Sequence, residues 1–123
     1  MPNALSSSEA AHHLRLPAET IRYWERAGLL APVGRDYGGR RRYSDADLEF
    51  LDVIRCLRLT GMPIRQVRQF SDLVRQGPST ARERLALLRS HRAEVLASIR
   101  AQQDALGVIE DKITRYQEMV QTS

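Results

Sequence analysis

Pro17-Ala18-Glu19-Thr20-Ile21-Arg22-Tyr23-Trp24-Glu25-Arg26-Ala27-Gly28 reads as a short helix with its start and its stop written in. Proline is tolerated at or near a first turn, where its missing N–H would have no intrahelical partner. Ile21 and Trp24 supply the apolar face, and Gly28 has the conformational freedom that a C′ residue needs. Just upstream, Ser6-Ser7-Ser8-Glu9 sets Ser6 and Glu9 at capping-box spacing, and Ala10, Ala11 and Leu14 make a short apolar stripe. Residues 6–14 are therefore expected to form a second short helix, broken at Leu16-Pro17. Two short helices with a tight break between them make a helix-turn-helix pattern. Taken alone the pattern is weak, because many helical hairpins share it.

Downstream the chain changes character. Between residues 31 and 43, Pro32, Gly34, Gly38 and Gly39 punctuate the sequence, and Val33, Tyr37 and Tyr43 are the large apolar or aromatic groups. This spacing predicts two short strands around a glycine turn. Ser44-Asp45-Ala46-Asp47 caps a further helix carrying Leu48, Leu51, Val53, Ile54 and Leu57, which Thr60-Gly61 ends. Pro63 opens another through Val67, Phe70 and Val74, stopped by Gly77-Pro78.

From Ser79 to Val120 there is no proline, and residues 85, 88, 92, 95, 99, 102, 106, 109, 113, 116 and 120 step alternately by three and four. Nine of those eleven positions are apolar or aromatic, the exceptions being Arg92 and Gln102, which is the pattern of a coiled-coil seam. At about 1.5 Å per residue such a helix is on the order of 60 Å long. A small domain cannot cover that seam, so a second chain is expected to. The alternative is a hairpin folding back at Gly107. Glycine costs only about 1 kcal/mol inside a helix, however, and the heptad phase runs through it unbroken. The expected organisation is a small domain over residues 1–77 and a dimerisation helix over 79–120.

Composition narrows the function classes. The 123 residues carry a formal net charge of +4, a modest excess that permits a polyanionic partner without requiring one. Its distribution is more telling, since Arg35, Arg40, Arg41 and Arg42 crowd one glycine-containing stretch. Cys56 is the single cysteine, so an intrachain disulfide, a thiolate metal site within one subunit and an iron–sulfur cluster all fail on arithmetic. His12 and His13 diverge by about 100° on a helix and His91 stands apart, so no metal or cofactor is expected. The start, Met1-Pro2-Asn3, has no basic and then apolar signal pattern, and no apolar run reaches the length of a membrane span; a cytoplasmic protein is expected. No nucleophile has a base partner at motif spacing, which disfavours an enzyme.

Several of these segments together are similar to one family. Thr20 to Leu30, then Pro32, then Gly39-Arg40-Arg41-Arg42-Tyr43-Ser44 with Asp47-Leu48, and Leu57-Arg58-Leu59-Thr60-Gly61-Met62-Pro63-Ile64 resemble the MerR family of regulators, in order and over nearly the whole chain. The chain departs from the pattern at Trp24, where a second tyrosine is usual, and at Arg40, where the wing often has tyrosine. The resemblance implies a mainly α fold: a winged helix-turn-helix followed by a long helix that forms an antiparallel coiled-coil dimer. It also implies a promoter with a long spacer, which the bound protein bends and untwists so that RNA polymerase engages both elements. The remaining alternative is an architectural or recombination-associated winged-helix protein without an effector, against which the long seam counts.

The resemblance assigns DNA contacts to Thr20, Arg22 and Tyr23 on the second helix and to Arg41 and Tyr43 in the wing, with Arg35 at the wing's start. The residue types suit those roles. Arginine reads guanine bidentately, threonine reaches a base or a phosphate, and a tyrosine hydroxyl takes phosphate. Arg40 and Arg42 flank the pair of Arg41 and Tyr43, and one of the two is expected to face away, since side chains alternate along a strand. Arg58 stands where relatives often carry a basic residue near DNA, with a plain surface role as the alternative. Val53-Ile54-Arg55-Cys56-Leu57-Arg58, Thr60-Gly61-Met62-Pro63 and the tail's Lys112-Ile113, Tyr116 and Glu118 resemble the branch linked to aldehyde and electrophile stress. For Cys56 two readings stand side by side. Arginine beside a thiol makes it nucleophilic, whereas a free cysteine is commonly a buried small hydrophobe.

Overall fold

A computed structural model describes residues 4–122, so the reading made from Met1-Pro2-Asn3 lies outside the described residues. The chain divides after Leu87 into two compact units. The first holds four helices and a two-stranded wing, with the opening turns of a fifth helix.

Helix α1 spans Ser7–Leu14, and its capping box forms as the sequence predicts: Glu9 N donates to Ser6 Oγ at 3.2 Å and Ser6 N donates to Glu9 Oε1 at 2.8 Å. It ends at Arg15, which takes left-handed backbone at φ 58°. Helix α2 spans Ala18–Arg26 with Pro17 as its N-cap, and Gly28, at φ +80°, turns the chain away from it. Ala10, Ala11 and Leu14 of α1 and Ile21 and Trp24 of α2 all face one core, so the break at Leu16-Pro17 folds the two apolar stripes together.

Strands β1 (Gly34–Arg35) and β2 (Arg41–Arg42) pair antiparallel, Gly34 opposite Arg42 and Arg35 opposite Arg41. The turn between them is built on Asp36, whose Oδ1 accepts from Gly38 N at 2.9 Å and Arg40 N at 3.0 Å. Of the two glycines expected to shape this turn, only Gly39 uses positive φ, at 78°. Leu5 adds one antiparallel bridge to Tyr43, which pins the base of the wing to the start of the chain.

Helix α3 (Asp45–Leu59) is capped by Ser44 with a reciprocal bond from Asp47, and helix α4 (Ile64–Arg75) starts after Pro63. Leu48, Leu51, Ile54 and Leu57 of α3 and Val67 and Phe70 of α4 complete the core, with Phe50 and Phe70 stacked at 6.2 Å. Ser71 Oγ donates to the Leu29 carbonyl at 2.8 Å, satisfying a buried backbone acceptor in the loop after α2. A 3-10 turn at Pro78–Thr80 leads into helix α5, Ala81–Thr122.

Helix α5 runs 42 residues without a break at Gly107, so the hairpin alternative does not hold. Along its heptad seam Leu85, Ile99, Leu106, Ile109, Ile113, Tyr116 and Val120 are all exposed on the single chain. Among the described residues no helix is long and apolar enough to cross a membrane.

Candidate nucleic-acid interface

Helix α2 divides cleanly. Ile21 and Trp24, at 1% and 5% exposure, anchor it, while the other side carries Glu19, Thr20, Arg22, Tyr23 and Arg26. Tyr23 is 48% exposed, so it is a surface residue rather than part of the core, and Thr20 is half-buried at the edge of that face. The aromatic departure at Trp24 is absorbed by packing, because the indole lies in the core.

The wing is fastened to this helix by charge. Arg41 Nε donates to Glu25 Oε1 at 2.9 Å, with only 25% and 13% of the two side chains exposed. Arg42, next along the strand, meets Asp36 at 3.4 Å instead, so Arg41 and Arg42 turn to different partners. Arg40 lies in the turn, 82% exposed and loosely opposite Asp36 at 3.9 Å. Arg35 Nη1 donates to the Gly39 carbonyl at 2.7 Å, bracing the turn while remaining on the surface. On α2, Glu19 meets both Arg22 at 3.2 Å and Arg26 at 3.6 Å.

These contacts set the electrostatics. Hydrogen bonding and charge from Arg22, with Arg26 behind it, hold the Glu19 carboxyl below its ordinary range. Asp36 is lowered chiefly by the Arg40 backbone N–H, joined by Gly38 N–H and by the charges of Arg40 and Arg42. Both carboxylates stay ionised at neutral pH.

Tyr43 departs from expectation. It is 0% exposed, and its hydroxyl is enclosed with Ser7 nearby but outside good hydrogen-bond geometry. Burial pushes the phenol up from its ordinary value, partly offset by Ser7. The residue therefore serves the core in this arrangement, and a phosphate cannot reach it. Its backbone bridges Leu5 at the foot of the wing, and its ring is part of the core cluster.

Cys56 departs from one of its two readings: it is exposed on this chain rather than buried. Arg55 Nη2 lies 3.6 Å from its sulfur, while Arg55 Nε donates to Asp52 at 2.9 Å. Arg58 is on the surface and its Nη1 donates to the Met62 carbonyl at 2.7 Å, closing the α3–α4 turn.

Sequence reasoning missed three acidic residues of this face: Glu19, Glu25 and Asp36. The i,i+3 spacing of Glu19 and Arg22 was a usable signal, as was an aspartate opening a glycine turn. Glu25 and Arg41 are 16 residues apart and no local rule pairs them.

An anchored helix with an arginine-bearing outer face, tied to a basic two-stranded wing, defines a winged helix-turn-helix of the nucleic-acid-binding kind. Residues 5–74 match the family described as MerR HTH family regulatory protein, and residues 48–116 match the family described as MerR, DNA binding. The chain belongs to the MerR family of transcriptional regulators. It is 34% identical over 112 residues to an uncharacterized HTH-type transcriptional regulator of Haemophilus influenzae, covering 91% of this chain and 83% of that protein. It is 30% identical over 92 residues to the HTH-type transcriptional regulator AdhR of Bacillus subtilis, covering 75% of this chain and 66% of that one. Among solved structures, it is similar to HiNmlR, a MerR family regulator lacking the sensor domain and bound to promoter DNA. That match has a TM-score of 0.87 at 33% identity over 94% of this chain and 91% of the other. A putative MerR family regulator from Listeria monocytogenes superposes with a TM-score of 0.85 at 34% identity, over 92% and 86% of the two chains.

Proposed function

We propose that this chain is a homodimeric, cytoplasmic promoter-binding regulator that places α2 in the major groove and its wing on the flanking backbone. The observation that carries the reading is the outer face of α2, with Arg22 and Tyr23 on it, Thr20 at its edge, and Arg41 of the wing tethered beside them through Glu25. Arg22 reads a base edge, Thr20 and Tyr23 take a base or a phosphate, and Arg35 and Arg41 neutralise backbone charge. The promoter-bound state of HiNmlR supports the same use of this fold. The exposed seam of α5 supports pairing with a second copy, which would tie two half-sites into one operator. Distortion of that promoter, to the benefit of RNA polymerase, follows from the family. An architectural factor without an effector fits less well, because the relatives are transcriptional regulators.

Selection of duplexes from a randomised pool, followed by footprinting, tests this reading. The expected result is one inverted repeat, with Arg22→Ala relaxing preference at one base pair per half-site at a cost of about 1–3 kcal/mol. Recovery of no consensus would overturn it.

The signal we assign to carbonyl electrophiles acting at Cys56. The exposed thiol, with Arg55 Nη2 at 3.6 Å from its sulfur, supports this. The sulfur adds to the carbonyl carbon, and the carbonyl oxygen takes a proton to give a hemithioacetal. Cys56→Ser is expected to keep operator affinity while losing the transcriptional response to formaldehyde. Normal induction of that variant would end the assignment.

A further inference from the structure

Five arginines of the candidate interface already have a carboxylate of their own chain: Arg22 and Arg26 share Glu19, Arg41 has Glu25, and Arg40 and Arg42 share Asp36. The three acids carry different burdens. Glu25 is mostly hidden and ties α2 to β2. Asp36 accepts two backbone N–H groups and builds the turn. Glu19 has no structural duty of that kind: its side chain is 70% exposed, and among the described residues its partners are two guanidinium groups.

Glu19 also occupies a costly place. It lies in the first turn of α2, the end that leads into the groove if the proposed docking is right. Duplex DNA presents about one negative charge per 1.7 Å of its axis. A carboxylate there is repelled by the backbone unless a base donor receives it, and in the major groove the cytosine N4 amino group is such a donor.

We propose that Glu19 is a specificity-determining residue, which holds Arg22 back from phosphates and itself accepts from a cytosine amino group in the operator. The proposal rests on α2 being the groove helix. On non-cognate DNA, Arg22 engages a phosphate only by leaving Glu19, and the carboxylate then faces the backbone with only the longer Arg26 contact, at 3.6 Å, to offset its charge. On the operator the exchange is matched: Arg22 moves to guanine O6 and N7, and Glu19 moves to cytosine N4. Glu19 therefore widens the gap between cognate and non-cognate binding by weakening the second.

The test uses the full chain, a duplex enriched by the wild type from a randomised pool, and a scrambled duplex of equal composition. Glu19→Gln removes the charge and little else, and thermal melting should match the wild type. This variant is expected to bind the scrambled duplex about five- to tenfold more tightly, with a salt dependence steeper by about 0.9 per subunit. Its affinity for the enriched duplex should gain less than that for the scrambled one, so that the ratio of the two affinities falls several-fold, since the gained phosphate attraction is offset there by a poorer cytosine contact. A pool selected with Glu19→Gln should lose one cytosine preference per half-site, and Glu19→Asp should hold non-cognate affinity near the wild-type level. If Glu19→Gln shifts both affinities by one common factor, or leaves scrambled binding unchanged, the inference fails while the proposed function stands. If the wild type enriches no sequence, the proposed function fails and this inference with it.

Discussion

Removing the Glu25 carboxylate isolates the contact that joins the wing to α2. At a charge separation of about 4 Å and an effective dielectric near 20, the attraction is roughly 4 kcal/mol. Much of it is offset by desolvation, since Glu25 is only 13% and Arg41 only 25% exposed in the side chain. Exposed pairs contribute about 0–1 kcal/mol, and breaking buried ones costs about 3–5 kcal/mol. A half-hidden pair belongs between, so Glu25→Ala should destabilise the first unit by about 1–2 kcal/mol. Trp24, the single tryptophan, precedes Glu25 and is 5% exposed, so its emission reports unfolding of α2 in urea. A cycle with Arg41→Ala gives the coupling between the two residues, expected at about 1 kcal/mol. DNA affinity should also fall in Glu25→Ala although a negative charge has been removed, because Arg41 loses its aim. A coupling indistinguishable from zero, or tighter DNA binding by Glu25→Ala, would refute the tether.

Ile109, 54% exposed on the seam, gives a second test: Ile109→Lys should leave Trp24 emission and helix content intact but make the protein monomeric at micromolar concentration in sedimentation. Gly28→Ala should cost about 1 kcal/mol or more in urea unfolding, since φ +80° is strained for alanine and its Cβ would meet Arg68 Nε at 3.4 Å. Acid should weaken the fold in a defined window. Glu9, lowered first by the Ser6 backbone N–H, Glu19, lowered first by Arg22, and Asp36, lowered first by the Arg40 N–H, all have carboxyls depressed in the folded state. Their stabilisation is complete above the ordinary values of 4.5, 4.5 and 3.8 and is lost as pH falls through the lowered ones. Melting temperatures flat from pH 7 to about 5 and falling below about pH 4 fit this; a loss beginning near pH 6 would point to histidine instead.

What the sequence determined by itself is where the first four helices begin and end, to within a residue or two. Ser6 with Glu9, Ser44 with Asp47, the prolines at 17 and 63, and Gly28 and Gly61 act on backbone groups within a turn of themselves, so their effect is readable from a few neighbouring letters. The heptad steps of α5 are legible for a related reason, since a helix converts spacing directly into a face. The tertiary structure decided the rest. Strand alternation could not say which way Tyr43 points, because β2 is two residues long and ends before it, and packing of the ring into the core decides the direction. Nor could it pair Arg41 with Glu25, which come together only when the wing folds back on α2. Cys56 lies one position outside the stripe of Leu51, Ile54 and Leu57, and it is exposed because no other part of the described chain packs over that side of α3. These outcomes depend on which surfaces meet across long stretches of chain, and no short-range rule contains that information.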